Sequence, residues 1–152
     1  MDGFDPLEFG FWVPVLVSVA CGAVIGLERQ LHGKPAGIRT SILICLGTTI
    51  FVRLGVLLSG GNTDPTRVLG QVVTGIGFLG AGVILTQGPQ IKGVTSAAAV
   101  WVLAGIGAAV GLGFHKGAVA LSLTTVAVLV GVEFLERGSA ALRKGVHSRD
   151  EK

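Results

Sequence analysis

Five long apolar stretches limit the folds that this chain can adopt. They cover residues 9–27, 40–59, 68–85, 94–112 and 118–135 of the 152-residue sequence. A helix needs about 20 mostly apolar residues to cross the hydrocarbon of a bilayer. Only 14% of the residues are charged, against about 25% in a typical soluble domain. We therefore predict an all-α membrane protein, with a bundle of about five transmembrane helices in a domain that spans residues 1–135.

The distribution of basic residues predicts the orientation of this bundle. Of the 12 Lys and Arg residues, nine lie in the first loop, the third loop and the segment 136–152, whereas the N-terminus and the other two loops hold only Arg67 and Lys116. Basic loops stay in the cytoplasm. We expect the N-terminus outside and residues 136–152 as a basic cytoplasmic tail, with no soluble domain after it. The net charge of +3 then reflects orientation, and no nucleic-acid binding is expected.

The third apolar stretch is unusually rich in glycine. Gly75, Gly77 and Gly80 spell G-x-G-x-x-G, which in dinucleotide enzymes follows a strand and precedes an acidic residue about 20 positions on. No acidic residue occurs in this stretch or the next, so a cofactor loop is excluded. These glycines and Gly82 instead predict close packing of a central helix. The alternative is an unwound segment whose free backbone groups line a cavity.

Small residues four positions apart predict close contacts for other helices as well. Such spacing lets two helix backbones approach each other in a membrane. The pairs are Gly22/Gly26, Gly77/Ala81, Gly105/Ala109 and Gly107/Gly111.

Charged residues at the ends of the first two stretches are candidates for function. A charge at membrane depth costs about 2.5–3.5 kcal/mol on insertion scales. Glu28 and Arg29 end the first stretch, and a short loop rich in glycine and proline leads to Arg39. We expect this turn to bring Glu28 close to Arg39. Two interpretations stay open, an ion pair that holds two helices together and one wall of an ion or partner site.

A second polar group precedes and enters the third stretch. Asp64 before a proline predicts a helix cap. Arg67, Gln71 and Thr74 then recur at spacings of four and three, which predicts a polar stripe that points into the bundle. Thr95, beside Ser96, opens the fourth stretch. No metalloprotease, Cys-x-x-Cys, phosphate-loop or catalytic-triad pattern is present, so an enzyme is not expected.

Three segments resemble a known family. They are GLERQLHGKPAGIRT (26–40), DPTRVLGQVVTGIGFLGAGVIL (64–85) and KGVTSAAAVWVLAGIGAAVGLG (92–113). In this order and spacing they closely resemble the membrane domain of the MgtC/SapB family of bacterial inner-membrane proteins. The resemblance implies a multi-pass plasma-membrane domain whose recurring polar positions are Glu28, Arg29, Arg39, Asp64, Arg67 and Gln71.

The resemblance also implies two functional hypotheses from different classes. The family's namesake is tied to growth in low magnesium, and the family has been described as an accessory to magnesium transport or as a modulator of ATP synthase. Many members continue into a soluble cytoplasmic domain, whereas 17 residues follow Leu135 here. We expect a regulator that acts on another membrane complex, such as an ATP synthase or a transporter, in magnesium or ion homeostasis. The alternative is a small Mg²⁺ transporter or transport subunit. A homo-oligomer would enlarge its path, and no cofactor other than Mg²⁺ is implied.

Overall fold

The computed structural model describes residues 4–58, 65–87 and 90–138. In these ranges the chain forms five helices that are long and apolar enough to cross a membrane. They are α1 (Phe9–Leu31), α2 (Ile38–Leu58), α3 (Pro65–Val83), α4 (Val94–Gly111) and α5 (His115–Gly138). This confirms the predicted bundle of five spans. A short antiparallel pair of strands, β1 (Leu85–Gln87) and β2 (Gln90–Lys92), lies between α3 and α4 where the sequence predicted only a loop.

The helices differ from the apolar stretches mainly at their ends. α1 continues through its polar last turn to Leu31, and α5 begins at His115, because backbone hydrogen bonding does not stop where hydrocarbon does. The chain leaves α1 through Gly33 and Ala36, which both have a φ of +61°. α3 begins at Pro65, since proline suits the first turn of a helix.

The centre of the bundle is built by α1, α2 and α4, which approach closely at glycines. A Cβ placed on Gly22 would lie 2.7 Å from the Cα of Ile42, and one on Gly26 would lie 2.6 Å from the Cα of Ile38. Both glycines therefore allow α2 to rest on the backbone of α1. This confirms the predicted close-packing role of the Gly22/Gly26 pair.

The glycines of α4 divide into two kinds. A Cβ on Gly111 would lie 2.8 Å from the Cβ of Val52, and one on Gly107 would collide with the carbonyl oxygen of Cys45. The Gly107/Gly111 pair is thus confirmed as the contact with α2. Among the residues that the structure describes, a Cβ on Gly105 would meet nothing within 4 Å, and the same holds for Gly77 in α3. Gly105 and Gly77, the glycines of the other two predicted pairs, therefore make no close helix contact among the described residues, and the predicted role of these pairs is wrong there.

The third helix lies at the periphery of the bundle, not at its centre. Only 6% of its span is buried, against 56% for α4. Within the described ranges, a Cβ on Gly75, Gly77 or Gly82 would meet nothing within 4 Å, and one on Gly80 would touch only Ala97, at 3.8 Å. The prediction of a central third helix is therefore wrong. α3 is also continuous, so the unwound alternative is wrong as well.

α4 and not α3 occupies the centre because the surface of α4 is more uniformly apolar. α4 is apolar on all sides, which is typical of a fully buried helix, and its buried residues include Val100, Leu103, Ile106 and Val110. α3 carries the polar residues Arg67 and Gln71 in its first turns, and both are exposed, as suits an outer position. A packing role for Gly75, Gly77, Gly80 and Gly82 against a partner outside the chain stays a prediction.

Candidate functional site

Polar side chains from three helices meet beside the last turns of α1. We call this group the Glu28 cluster; it consists of Glu28, Arg29, His32, Ser96 and Glu133. Glu28 is 6% exposed and Arg29 is 4% exposed, whereas His32 and Glu133 are about one-third open to the surface. Two opposite charges are thus enclosed at the end of α1, where α4 and α5 cover them.

Arg29 joins α1 to α4. Its Nη2 donates a hydrogen bond of 2.8 Å to the hydroxyl oxygen of Ser96. Its Nη1 lies 3.7 Å from Oε2 of Glu28, which is an ion pair but too long for a hydrogen bond. Within the described part of the chain, the buried Nε of Arg29 and Oε2 of Glu28 have no hydrogen-bond partner. The cluster therefore contains polar atoms whose bonding capacity is not used.

His32 joins Glu28 to α5. It caps the C-terminal end of α1, one helical turn after Glu28. Its Nδ1 lies 2.8 Å from the backbone carbonyl oxygen of Glu28 and 3.2 Å from Oε1 of the same residue. Its Nε2 lies 3.7 Å from Oε2 of Glu133. One ligand atom from each of these three residues lies within 4.8 Å of the other two, a spacing at which they could share a metal ion.

The predicted pair of Glu28 with Arg39 is wrong. Glu28 contacts Arg29 and His32, whereas Arg39 is exposed. The reason is the register of α2 on α1. Ile38 takes the position that faces Gly26, and a helix turns about 100° per residue, so the next side chain points away from α1.

The predicted polar stripe of α3 exists, but it does not point into the bundle. Arg67, Gln71 and Thr74 are all exposed, and the Thr74 hydroxyl donates to the carbonyl oxygen of Gly70 in its own helix, at 2.9 Å. Ile76 occupies the buried face instead, with 8% exposure. The apolar side of α3 packs against the bundle because the surface of α4 is apolar.

The two remaining predicted positions have different outcomes. Asp64 lies outside the described residues, and its role as a helix cap stays a prediction. Thr95 is exposed, while its neighbour Ser96 is 2% exposed and bonds Arg29. The sequence thus indicated the correct pair of hydroxyls, but the buried one is Ser96 and not the predicted Thr95.

Sequence reasoning missed three members of the Glu28 cluster as site residues. The spacing of four between Glu28 and His32 was a usable signal, because such pairs face each other on a helix. Glu133 was a second signal, as it is the acidic residue inside the fifth apolar stretch. Nothing in the sequence joins residue 28 to residue 133, and only the packing of α5 on α1 does so.

A second buried polar group lies in the middle of the bundle. The Thr49 hydroxyl lies 2.9 Å from the carbonyl oxygens of Cys45 and Gly107 and 2.7 Å from the hydroxyl of Ser18. Ser18 in turn lies 2.7 Å from the carbonyl oxygen of Pro14. These bonds join α1, α2 and α4, and they satisfy the two hydroxyls inside the core. We interpret this group as structural.

Five apolar helices with a buried ionic cluster at one end define a multi-pass membrane protein. The model of the MgtC family matches residues 15–138. The chain belongs to the MgtC family.

Relatives of known name support this assignment. The chain is 43% identical to YhiD of Escherichia coli K12, described as a candidate magnesium transporter, over 76% of this chain and 56% of that protein. It is 40% identical to the protein MgtC of Salmonella typhimurium, over 77% of this chain and 50% of that protein. An uncharacterized Haemophilus influenzae protein is 37% identical, over 98% and 63% respectively. The chain thus spans about half to two-thirds of the length of these relatives. No solved structure is significantly similar to it.

Proposed function

We propose that this protein regulates magnesium or ion homeostasis in the bacterial inner membrane by acting on another membrane complex. Membership of the MgtC family supports a role in magnesium handling, as does the likeness to an Escherichia coli protein whose name refers to magnesium transport. The relatives' names do not choose between regulation and transport. The choice rests on how the helices pack.

The observation that carries the proposal is the closed centre of the bundle. A route through a single copy would have to pass Ile25, Cys45, Leu103 and Val110, which are each completely buried. The hydroxyls of Ser18 and Thr49, which lie at the same centre, already bond each other and neighbouring carbonyls. Hydrated Mg²⁺ keeps several of its waters and needs room for them. Such packing favours a regulator over a transporter.

The exposed polar stripe of α3 supports contact with a partner. Polar side chains within membrane-spanning helices rarely face lipid, yet Arg67 and Gln71 are exposed in this chain. A second membrane protein, or a second copy of this chain, would cover them. An ATP synthase or a transporter is the kind of partner that the regulatory role requires.

Transport is the second candidate, and the Glu28 cluster favours it. Ionisable residues buried at membrane depth commonly mark ion or proton pathways, and Glu28 has a buried oxygen without a hydrogen-bond partner among the described residues. Under this alternative the route would lie between copies in an oligomer.

Purified protein in liposomes separates the two candidates. We expect no flux of Mg²⁺ or of monovalent cations above that of empty liposomes. In native membranes, a photo-reactive residue at Gln71 should cross-link to another membrane protein, identified by mass spectrometry. The matched position Ile76, which faces the bundle, should give no such product. Flux that is abolished by both Glu28→Gln and Arg67→Gln would instead establish transport.

A further inference from the structure

The imidazole of His32 is held as metal-binding histidines are held. A histidine that ligates a metal commonly donates its other ring N–H to a carbonyl oxygen, which fixes the tautomer. Nδ1 of His32 lies 2.8 Å from the Glu28 carbonyl oxygen, and a carbonyl can only accept. Nδ1 therefore carries a proton, and in the neutral ring the lone pair is on Nε2, the nitrogen nearer to Oε2 of Glu133.

The distances fit two ligands of one ion better than a hydrogen bond. Nε2 of His32 and Oε2 of Glu133 are 3.7 Å apart. Two ligand atoms that are each bound at 2.0–2.2 Å in a tetrahedral site lie about 3.4 Å apart. One ligand atom from each of Glu28, His32 and Glu133 lies within 4.8 Å of the other two, so side-chain rotations would bring the three residues onto one ion.

The buried oxygen of Glu28 is an independent observation that favours a bound cation here. The side chain of Glu28 is only 6% exposed, and its Oε2 has no hydrogen-bond partner among the described residues. That oxygen lies 3.7 Å from Nη1 of Arg29, an ion pair without a hydrogen bond. A buried carboxylate oxygen without a hydrogen bond is costly, and a bound cation would satisfy it. Arg29 is the adjacent positive charge, and its bond to Ser96 holds its Nη2 toward α4.

The donor set also indicates which ions fit. Mg²⁺ prefers oxygen ligands in near-octahedral geometry and keeps several waters. Imidazole together with carboxylates suits first-row transition metals such as Zn²⁺ and Mn²⁺. The two carboxylates of this donor set suit a divalent cation.

We propose that Glu28, His32 and Glu133 form a binding site for a divalent transition-metal ion, which joins the C-terminal end of α1 to α5. The site goes beyond the proposed function and does not depend on it. Because the ligands come from two helices, metal binding should hold α5 against α1 and raise the thermal stability of the bundle.

The test uses the full chain in detergent, purified without a polyhistidine tag. Binding of Zn²⁺, Mn²⁺ and Mg²⁺ is measured by calorimetry, and the rise in Tm by thermal unfolding. We expect one Zn²⁺ or Mn²⁺ ion per chain. His32→Gln and Glu133→Gln should each weaken binding by roughly tenfold or more and remove the rise in Tm.

Two control variants match the ligands in residue type. His115→Gln changes a histidine at the start of α5, and Glu8→Gln changes an exposed acid at the far end of α1. Both should bind the metal as the unchanged protein does. The proposal is overturned if Zn²⁺ and Mn²⁺ fail to bind, if the ligand variants bind as well as the controls, or if Mg²⁺ binds the same site equally well. Equal binding by the ligand variants and the controls would mean that the metal binds elsewhere on the surface. Equal binding of Mg²⁺ would mean that the site takes a different class of ion.

Discussion

At the scale of single residues, Ser96 and Thr95 differ in surroundings although they are neighbours in α4. Ser96 accepts the hydrogen bond from the buried Arg29, whereas Thr95 is exposed. Ser96→Ala should lower the free energy of unfolding by about 1–3 kcal/mol, because it leaves a buried charged donor without its acceptor. Thr95→Ala should change it little. Chemical or thermal unfolding in detergent measures both, and equal losses would contradict the assigned role of Ser96.

At the scale of helices, the two nearest glycines of α4 provide a matched test of the packing. A Cβ on Gly107 would lie 2.9 Å from the Cβ of Thr48 and would also strike the α2 backbone, while one on Gly105 would meet no described residue within 4 Å. Gly107→Ala should destabilise the bundle by about 1–3 kcal/mol through overpacking. Gly105→Ala should leave stability unchanged or raise it by up to about 1 kcal/mol, since alanine favours helix.

The measurement for this pair is the Tm and the yield of monodisperse protein in one detergent. A larger loss for Gly105→Ala would place a partner on that face, and would show that α4 is less central than its burial indicates. The comparison is clean because both substitutions add the same methyl group to the same helix, two positions apart.

At the scale of the whole molecule, the orientation in the membrane is a prediction from charge alone. Glu8 and Lys34 lie at opposite ends of α1, and both are exposed. In cells whose outer membrane has been permeabilised, a membrane-impermeant thiol reagent should label Glu8→Cys. It should label Lys34→Cys only after the inner membrane is permeabilised as well. Cys21 and Cys45 are 2% and 0% exposed, so labelling of these two native thiols should be low. The reverse labelling pattern would overturn the orientation.

The sequence by itself determined the class of fold and the number of spans. In lipid every backbone polar group must be bonded internally, so a long apolar stretch has to be a helix whatever its neighbours are. The same local logic predicted the close contacts at Gly22 and Gly26, and it selected Glu28 and Arg29, which the fold buries. The turn through Gly33 was predictable too, because glycine readily takes a positive φ.

Only the tertiary structure decided which helix is central and which partners Glu28 has. Glycine content indicated that α3 is the central helix. Which helix is central depends, however, on how much of its surface packs against other helices, and this share is larger for α4. Arg39 was expected beside Glu28 because it is near in sequence, yet Ile38 takes the inner position and turns Arg39 outward. His32 and Glu133 come together because α5 packs on α1. Contacts between residues so far apart in the chain arise from packing, which no local pattern records.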